Sequence, residues 1–418
     1  LSMPNEQLKV SLRAVEINPN SATAYNNLAT AFADRGMLPE AIETLLIAKT
    51  IDPNFLPTLV NIAHTHLRLQ NIHQAIEAYE EILCRKDLPI SIRDYVKYSC
   101  SYAYLLVGDL AKGWDSYDFG FGLSIGGHHV NRSLKSFPEP KWRGEDLAGK
   151  TLFVVREQGL GDELMFSTCL SDLEGLAANI IVKCEPRLVG IYQRTYPLFE
   201  FVPDYGLVGG IPENHNNKPI DYYIAMGSLP GIFRRKIQDF EIPTKTLAPD
   251  PALKKEYQER MGSFVDKKLV GICWRSGLLD VTRNEGYSIL TDWNELLTRK
   301  DIIFVNLQYG ECEAELSEAE KKFGIKILRW KDTDLKNDLE RVIAIVHNLD
   351  FVVSINSAVF SLSGACGVKT FLLTPSVWTM CGEKDRFPWY KTVLPITYKI
   401  DEEHVLKGLE TVVKLITH

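Results

Sequence analysis

Arg156-Glu157-Gln158-Gly159-Leu160-Gly161-Asp162-Glu163 reads as the end of a strand, a Gly-x-Gly turn and the start of a helix. Glycines at 159 and 161 permit tight backbone geometry and close approach of a ligand. Phosphate is the usual guest at such a helix start, but Asp162 would repel it. A carboxylate there suits abstraction of a proton. Capping the helix is the other ordinary job of Asp, and the residues alone leave the two readings level.

Asn356-Ser357-Ala358-Val359 also follows a strand and opens a helix, and no acidic residue stands among them. The N–H groups of Ser357, Ala358 and Val359, with the helix dipole, form a cradle for a pyrophosphate. The plain alternative is a helix capped by Asn356 or Ser357. Trp274-Arg275-Ser276-Gly277 ends another strand, and the loop after it carries Arg283. Two arginines at one sheet edge are natural phosphate partners; salt bridges to surface carboxylates are the bland alternative. Gln308-Tyr309-Gly310-Glu311 ends the next strand on the same edge, where hydrogen bonds and stacking would hold a nucleoside.

Metal and disulfide chemistry find little support. The eight cysteines are scattered and none forms a C-x-x-C pair, which favours reduced thiols in a cytoplasmic compartment. His64, His66 and His73 lie close together with no acidic or Cys partner to complete a ligand set. His128-His129, beside Gly126-Gly127, reads as loop.

The elements that must position these residues fall into two textures. In the N-terminal third Ile17-Asn18-Pro19-Asn20 recurs as Ile51-Asp52-Pro53-Asn54, 34 residues later. That is the tetratricopeptide period. Tyr25, Leu28, Ala29 and Phe32 mark a first helix, Gly36 the turn, and Ala41, Leu45 and Ala48 a second helix ended by Pro53. Leu59, Ile62, Ala63, His66, Ala75 and Tyr79 repeat the pattern, and a divergent copy runs from Ile92 to Tyr117. The chain opens within a second helix, Leu8 to Ile17, so a preceding first helix is expected to be missing. Such stacks present a concave surface to a peptide or protein; a packing spacer that binds nothing is the alternative. Asn26, Asn27, Asn61 and His64 lie on the first helices that line this side, and Asn27 and Asn61, one repeat apart, are candidates to bind the backbone of an extended partner.

From Lys150 short β-rich runs alternate with helical patterns, which predicts parallel sheet with crossovers. The first half has strands at Thr151–Arg156, Ile180–Cys184 and Asp221–Ala225. The second has strands at Lys268–Trp274, Ile302–Leu307, Lys326–Arg329, Phe351–Ile355 and Lys369–Leu373. Trp114 and Trp142 are expected to anchor the connection between the repeats and the first half. Ligands in such halves lie at the carboxyl ends of the strands.

The formal charge of −7 argues against a broad nucleic-acid-binding face. No apolar run is long enough for a transmembrane segment.

Taken in order, the strand–GlnGlyLeuGlyAsp–helix segment, ValGlyIleCysTrp, PheValAsnLeuGln, SerIleAsnSerAlaValPheSerLeuSerGlyAla and PheProTrpTyr resemble a known family. It is that of GT-B glycosyltransferases related to the ADP-heptose:lipopolysaccharide heptosyltransferases, in the branch with N-terminal tetratricopeptide repeats. The resemblance covers essentially the whole chain. It implies that Asp162 faces the acceptor as general base. It implies that the C-terminal half binds a nucleotide-sugar, with the amides of the helix beginning at Ser357 on the diphosphate. It further implies inversion at the anomeric carbon, with no metal at the diphosphate. Two departures stand out: Asn356 and Ser361 occupy the places where the family has Asp and His, which bears on the donor sugar or on catalysis itself.

The fold expected is therefore all-α tetratricopeptide-like repeats followed by an α/β GT-B fold of two Rossmann-like domains facing a cleft. Residues 1–120 are the repeats, 121–149 a linker, 150–262 the acceptor domain and 263–398 the nucleotide-sugar domain. A C-terminal helix in 399–418 is expected to pack back on the first Rossmann-like domain. Asp162 is the catalytic residue of this reading, and Trp274, Arg275, Ser276, Arg283, Gln308, Asn356, Ser357, Ala358 and Val359 bind the donor. A nucleoside-diphosphate sugar is the substrate and there is no further cofactor. The acceptor is a protein or peptide recruited by the repeats, or a saccharide as in polysaccharide synthesis. The rivals are a non-catalytic scaffold on a degenerate transferase fold and a GT-B sugar epimerase without a recruiting role for the repeats.

Overall fold

The computed structural model describes residues 3–121, 124–125, 128–129, 137–205, 219–242, 244–262, 264, 266–276, 288–398 and 404–417. They form two compact units, the helical repeats and the α/β part.

The repeat unit is a run of helices: α1 (Met3–Ile17), α2 (Ala22–Ala33), α3 (Leu38–Ile51), α4 (Leu56–Arg68), α5 (Ile72–Leu83), α6 (Ile90–Leu106) and α7 (Leu110–Tyr117). Ser21 caps α2 by accepting from the Ala24 N–H at 3.2 Å. Gly36 turns the chain with φ of 77°, a conformation that suits a residue without Cβ. Ala29, Ala41, Ala48, Ala63 and Ala75 are buried, and their small side chains let successive helices approach closely. Trp114 is buried in this unit, edge-on to Tyr117 at 5.5 Å. Ser124–Ile125 (β1) and His128–His129 (β2) pair antiparallel, so the two histidines lie in a short ladder where the sequence reads as loop.

The α/β unit holds two parallel sheets. In the first half, β3 (Thr151–Val155), β4 (Asn179–Cys184), β5 (Glu200–Pro203) and β6 (Tyr222–Ala225) lie in the order β5-β4-β3-β6. Helices α8 (Leu160–Phe166), α9 (Val189–Thr195) and α10 (Pro230–Phe233) accompany them. Lys141 bridges to Tyr223, and the Trp142 N–H donates to the Tyr223 carbonyl at 2.8 Å. Trp142, buried, packs against Phe233.

After α11 (Pro251–Met261), the second half comprises β7 (Lys268–Cys273), α12 (Asn294–Leu297), β8 (Ile302–Asn306), α13 (Glu313–Phe323), β9 (Ile327–Leu328), α14 (Leu339–Val346), β10 (Phe351–Ile355), α15 (Ala358–Ala365), β11 (Thr370–Thr374) and β12 (Val393–Thr397). Its six strands run in the order β12-β11-β10-β7-β8-β9, each pair parallel. All five residues of β3, β10 and β11 are buried, as strands covered on both faces must be.

The last helix, α16 (His404–Thr417), corrects an expectation. It lies on the second half, not the first. Leu409 and Val412 enter the core with Phe371, Leu373 and Trp293, and Thr417 Oγ1 accepts from Arg299 at 2.8 Å. The apolar stripe shows that the helix must pack; which sheet it covers is settled only by where β12 leaves the chain.

The two halves are joined beneath their helices by aromatic side chains. Trp389 meets Phe166 of α8 edge-on at 5.6 Å and Phe240 at 4.9 Å. Phe387 stacks on Tyr390 and meets Phe360 of α15. The PheProTrpTyr segment is thus buried structure shared by both halves. A crossing segment ties them further. The Leu247 N–H donates to Ala365 O at 2.8 Å, His347 Nε2 bonds Leu247 O at 2.9 Å, and the Ala248 N–H donates to Thr195 Oγ1 at 3.1 Å.

Candidate active site

Each sheet changes direction once. In the first, the chain moves from β3 outward through β4 and β5, then returns to the other side of β3 with β6. In the second, it moves from β7 through β8 and β9, then returns beside β7 with β10. Backbone groups splay apart at the carboxyl ends of strands at such a reversal, and this opens the crevice where α/β sheets take ligands. Arg156–Asp162 follows β3, Trp274–Ser276 follows β7 and Asn356–Ser357 follows β10. The chemistry-bearing segments therefore stand at the two switch points.

The helices that leave these points meet. Gly161 of α8 faces the first turn of α15: a methyl on it would lie 3.5 Å from Ser361 Oγ and 3.7 Å from Ala358 Cα. This contact brings Asp162, in the first turn of α8, to the start of α15. Gly159 has an ordinary φ of −70°, so no unusual dihedral angle calls for glycine there, and at both positions a methyl would meet only ordinary van der Waals contacts. Asp162 is half-buried, and its Oδ2 lies 3.5 Å from a methyl position on Gly159.

Behind Asp162 the strand end is braced by charge. Glu163 is 2% exposed. Its Oε2 meets Arg156 Nε at 2.6 Å, and its Oε1 accepts from the Glu185 N–H at 2.9 Å. Arg156 reaches Glu185 at 3.2 Å and donates to Gln158 O at 3.2 Å. Burial raises the Glu163 carboxyl to about 7, with Arg156 pulling the other way. Sequence reading passed over Glu163; a carboxylate directly beside the Gly-x-Gly-Asp run, on the inward face of a helix, was the available signal.

At the second switch point several expected donor ligands are engaged by the protein. Gln308 is buried, and its Oε1 accepts from the Trp274 N–H at 3.2 Å and the Arg275 N–H at 3.0 Å. It closes the end of β7. Trp274 is fully buried and its indole N–H donates to Glu315. The Arg275 guanidinium lies on the same carboxylate, with Nη2 2.9 Å from Oε1, and also donates to Glu311 O at 2.6 Å. Ser357 caps α15 by accepting from the Val359 N–H at 3.3 Å. Among the described residues nothing accepts from the Ala358 N–H, and Asn356 is exposed. Ser276 is buried. Arg283 and Gly277 lie outside the described residues; their loop returns at Ser288, whose Oγ donates to Trp274 O at 3.0 Å. Among the described residues no three His, Cys, Asp or Glu side chains cluster as a metal site.

In the repeats, Asn27 is exposed on α2 while Asn61 on α4 donates to the buried Asn26 Oδ1 at 3.0 Å. Thr58 donates to the same oxygen at 3.3 Å. The two asparagines one repeat apart are thus not equivalent: Asn61 is tied to Asn26, a neighbour on the same concave-side set of first helices, while Asn27 is exposed.

Residues 11–43 match the family model described as tetratricopeptide repeat. The N-terminal unit is built of tetratricopeptide repeats. Over 403 residues the chain is 29% identical to Protein FlbA of Caulobacter vibrioides, spanning 94% of this chain and 67% of that protein. Over 69 residues it is 33% identical to small glutamine-rich tetratricopeptide repeat-containing protein 2 of Mycosarcoma maydis, covering 16% and 20% of the two chains. A solved glycosyl transferase family 9 structure from Veillonella parvula superposes with a TM-score of 0.47 at 12% identity, over 66% of this chain and 98% of that one. A Thermobaculum terrenum O-GlcNAc transferase variant gives 0.32 at 13%, over 98% and 87%. Repeats followed by two parallel-sheet halves are the architecture that the GT-B resemblance implies.

Proposed function

We propose that the protein is a glycosyltransferase that moves a sugar from a nucleoside diphosphate to a hydroxyl acceptor, with inversion. One observation carries the reading: Asp162, at the switch point of one sheet, is packed through Gly161 against the acid-free helix start at the switch point of the other. A base and an anion cradle brought together in this way suit a displacement at a carbon bearing a diphosphate. Asp162 takes the proton of the acceptor hydroxyl, and its oxygen attacks the anomeric carbon. The bond from that carbon to the diphosphate oxygen breaks on the opposite face, and the nucleoside diphosphate leaves. The Ala358 N–H, the exposed Asn356 amide and the dipole of α15 offset the charge that develops on it. Arg275 and Arg283 complete the donor set in this proposal, with Arg275 exchanging part of its contact with Glu315 for phosphate. No step calls on a metal. The repeats recruit a protein acceptor, and the protein works in the cytoplasm.

A second reading, a catalytically silent scaffold, draws on particular contacts. Gln308, Arg275 and Ser357, three of the donor residues, already bond protein groups. The deciding experiment incubates the full chain with a panel of nucleoside-diphosphate sugars and follows release of nucleoside diphosphate, with water or an added hydroxyl acceptor. Release that Asp162→Asn abolishes supports the transferase. Binding of nucleotide with no turnover for any donor, with or without candidate protein acceptors, supports the scaffold.

A further inference from the structure

We infer that the buried charge cluster of Arg156, Glu163 and Glu185 sets the position of Asp162, and that Arg156 and Glu163 are positioning residues for the proposed transfer. This role rests on the transferase reading above.

α8 needs such a hold. It is seven residues long, it carries Asp162 in its first turn, and no side chain caps it at Gly159. Glu163, the next residue, pins that turn from inside. Its Oε1 accepts from the Glu185 N–H just after β4, and its Oε2 meets Arg156 just after β3. Arg156 also reaches the Glu185 carboxylate and donates to Gln158 O, in the turn itself. One cluster therefore ties the ends of two strands and the Gly-x-Gly turn to the start of the helix that bears Asp162. A displacement of ~1 Å at a reacting group costs about a hundredfold in rate, so what fixes this turn fixes turnover.

Stability does not account for the cluster. Apolar side chains of similar volume often serve a buried site as well as an ion pair or better, because both charges lose water. Burial raises the Glu163 carboxyl to about 7, with Arg156 pulling the other way, so the ionised form is the costly one in the folded chain. The groups that face Glu163 are Arg156 from the end of β3, Cys184 and Glu185 from the end of β4, and Tyr192 of α9, while Asp162 stands beside it on α8. Burial pushes the Cys184 thiol and the Tyr192 phenol well up, so both stay neutral near neutrality. Burial would raise Glu185 as well, but Arg187 and Arg156 hold it below the ordinary carboxylate value. Glu163 is thus the group of this cluster that changes charge near pH 7. Ionised, it grips Arg156; protonated, it loosens. Turnover should rise as pH passes about 7, while by linkage the stability that Glu163 contributes falls. A brace that served stability alone would leave turnover flat there.

The test uses the full chain, with UDP-, GDP- and ADP-sugars as donors and calorimetry of UDP, GDP and ADP. Glu163→Gln should lower turnover about 10- to 100-fold, leave nucleoside diphosphate affinity unchanged and abolish the rise near neutral pH. Arg156→Gln should lose as much, and Arg156→Lys, which keeps the charge, should recover part of it. Corrected for intrinsic rates, amides 159–163 of the wild type should gain protection from hydrogen exchange as pH passes about 7, and Glu163→Gln should remove that gain. Normal turnover in a folded Glu163→Gln variant overturns the inference, as does a rise near neutral pH that persists in it. So does an equal loss of turnover and of nucleotide affinity, or protection of 159–163 that ignores pH. Should Glu163→Gln not fold, the two Arg156 variants, at a half-buried residue, carry the test. A wild type that turns over no donor removes the transferase reading and this role together; an active wild type beside an equally active Glu163→Gln variant removes this role alone.

Discussion

Asp162 and Arg275 pose the sharpest questions for single residues. Asn caps a helix about as well as Asp but takes up no proton. Asp162→Asn should therefore cut turnover by ~10²–10⁴-fold and leave stability and donor binding in place; normal turnover in that variant removes the base. Arg275 is gripped by Glu315, so two substitutions separate its roles. If Arg275 binds phosphate, Arg275→Ala should weaken nucleoside diphosphate by ~1.5–3 kcal/mol, while Glu315→Ala, which removes the carboxylate partner and leaves the contact to Glu311 O, should not weaken it. Calorimetry showing equal losses in both would make the pair a brace for the Trp274 turn. Glu163 gives a pH signature. Its carboxyl titrates near 7 in the folded protein against 4.5 ordinarily, so the folded chain holds this proton more tightly than the unfolded chain. Its contribution is whole below about 4.5 and lost as pH rises through about 7. Melting temperature should fall across that window, and Glu163→Gln should flatten the fall; an unchanged profile in the variant assigns the slope to other groups.

Two glycines on adjoining helices make opposite predictions at the level of elements. A methyl on Gly364 of α15 would stand 2.5 Å from Tyr390 Cδ2 and 2.8 Å from Val393 Cγ2. Those neighbours are buried and packed, so Gly364→Ala should cost ~1–3 kcal/mol by overpacking. On Gly161 of α8 the same methyl meets nothing nearer than 3.5 Å, and Gly161→Ala should leave the melting temperature almost unchanged. Denaturant unfolding of the two variants side by side checks this. Equal effects would mean that the α8–α15 contact is as tight as the bed of Tyr390.

For the molecule as a whole, the open question is what the repeats hold. Asn27 is exposed while Asn61 is bonded to Asn26, so any groove contact should depend on Asn27 more than on Asn61. Pull-down of a candidate acceptor should fall when residues 1–120 are removed and, by less, in Asn27→Ala. If the deletion leaves both capture and sugar transfer intact, the repeats are a spacer and the protein-acceptor proposal loses its support.

The repeats were legible because their signal is local: a period of 34 and small residues at helix contacts need only neighbours in the chain. Most strands were legible too, since β3, β7, β8, β10 and β11 are apolar runs bounded by turns. β5 and β12 escaped because each contains a proline, Pro203 and Pro395, and sheet pairing decides such segments. Residue types placed Asp162 and Ser357 at helix starts. Sequence could not say that the two helices touch, because that depends on strand order, and strand order is a long-range choice. Nor could it say that Gln308 and Arg275 would be spent on β7 and Glu315, since a polar side chain bonds whatever the fold sets beside it. The same holds for α16, whose apolar stripe required a sheet but did not name one. The sequence by itself determined the elements and the chemical groups they carry. Only the tertiary structure decided which groups share a crevice and which are already bonded, because burial and hydrogen bonding are settled among residues far apart in the chain.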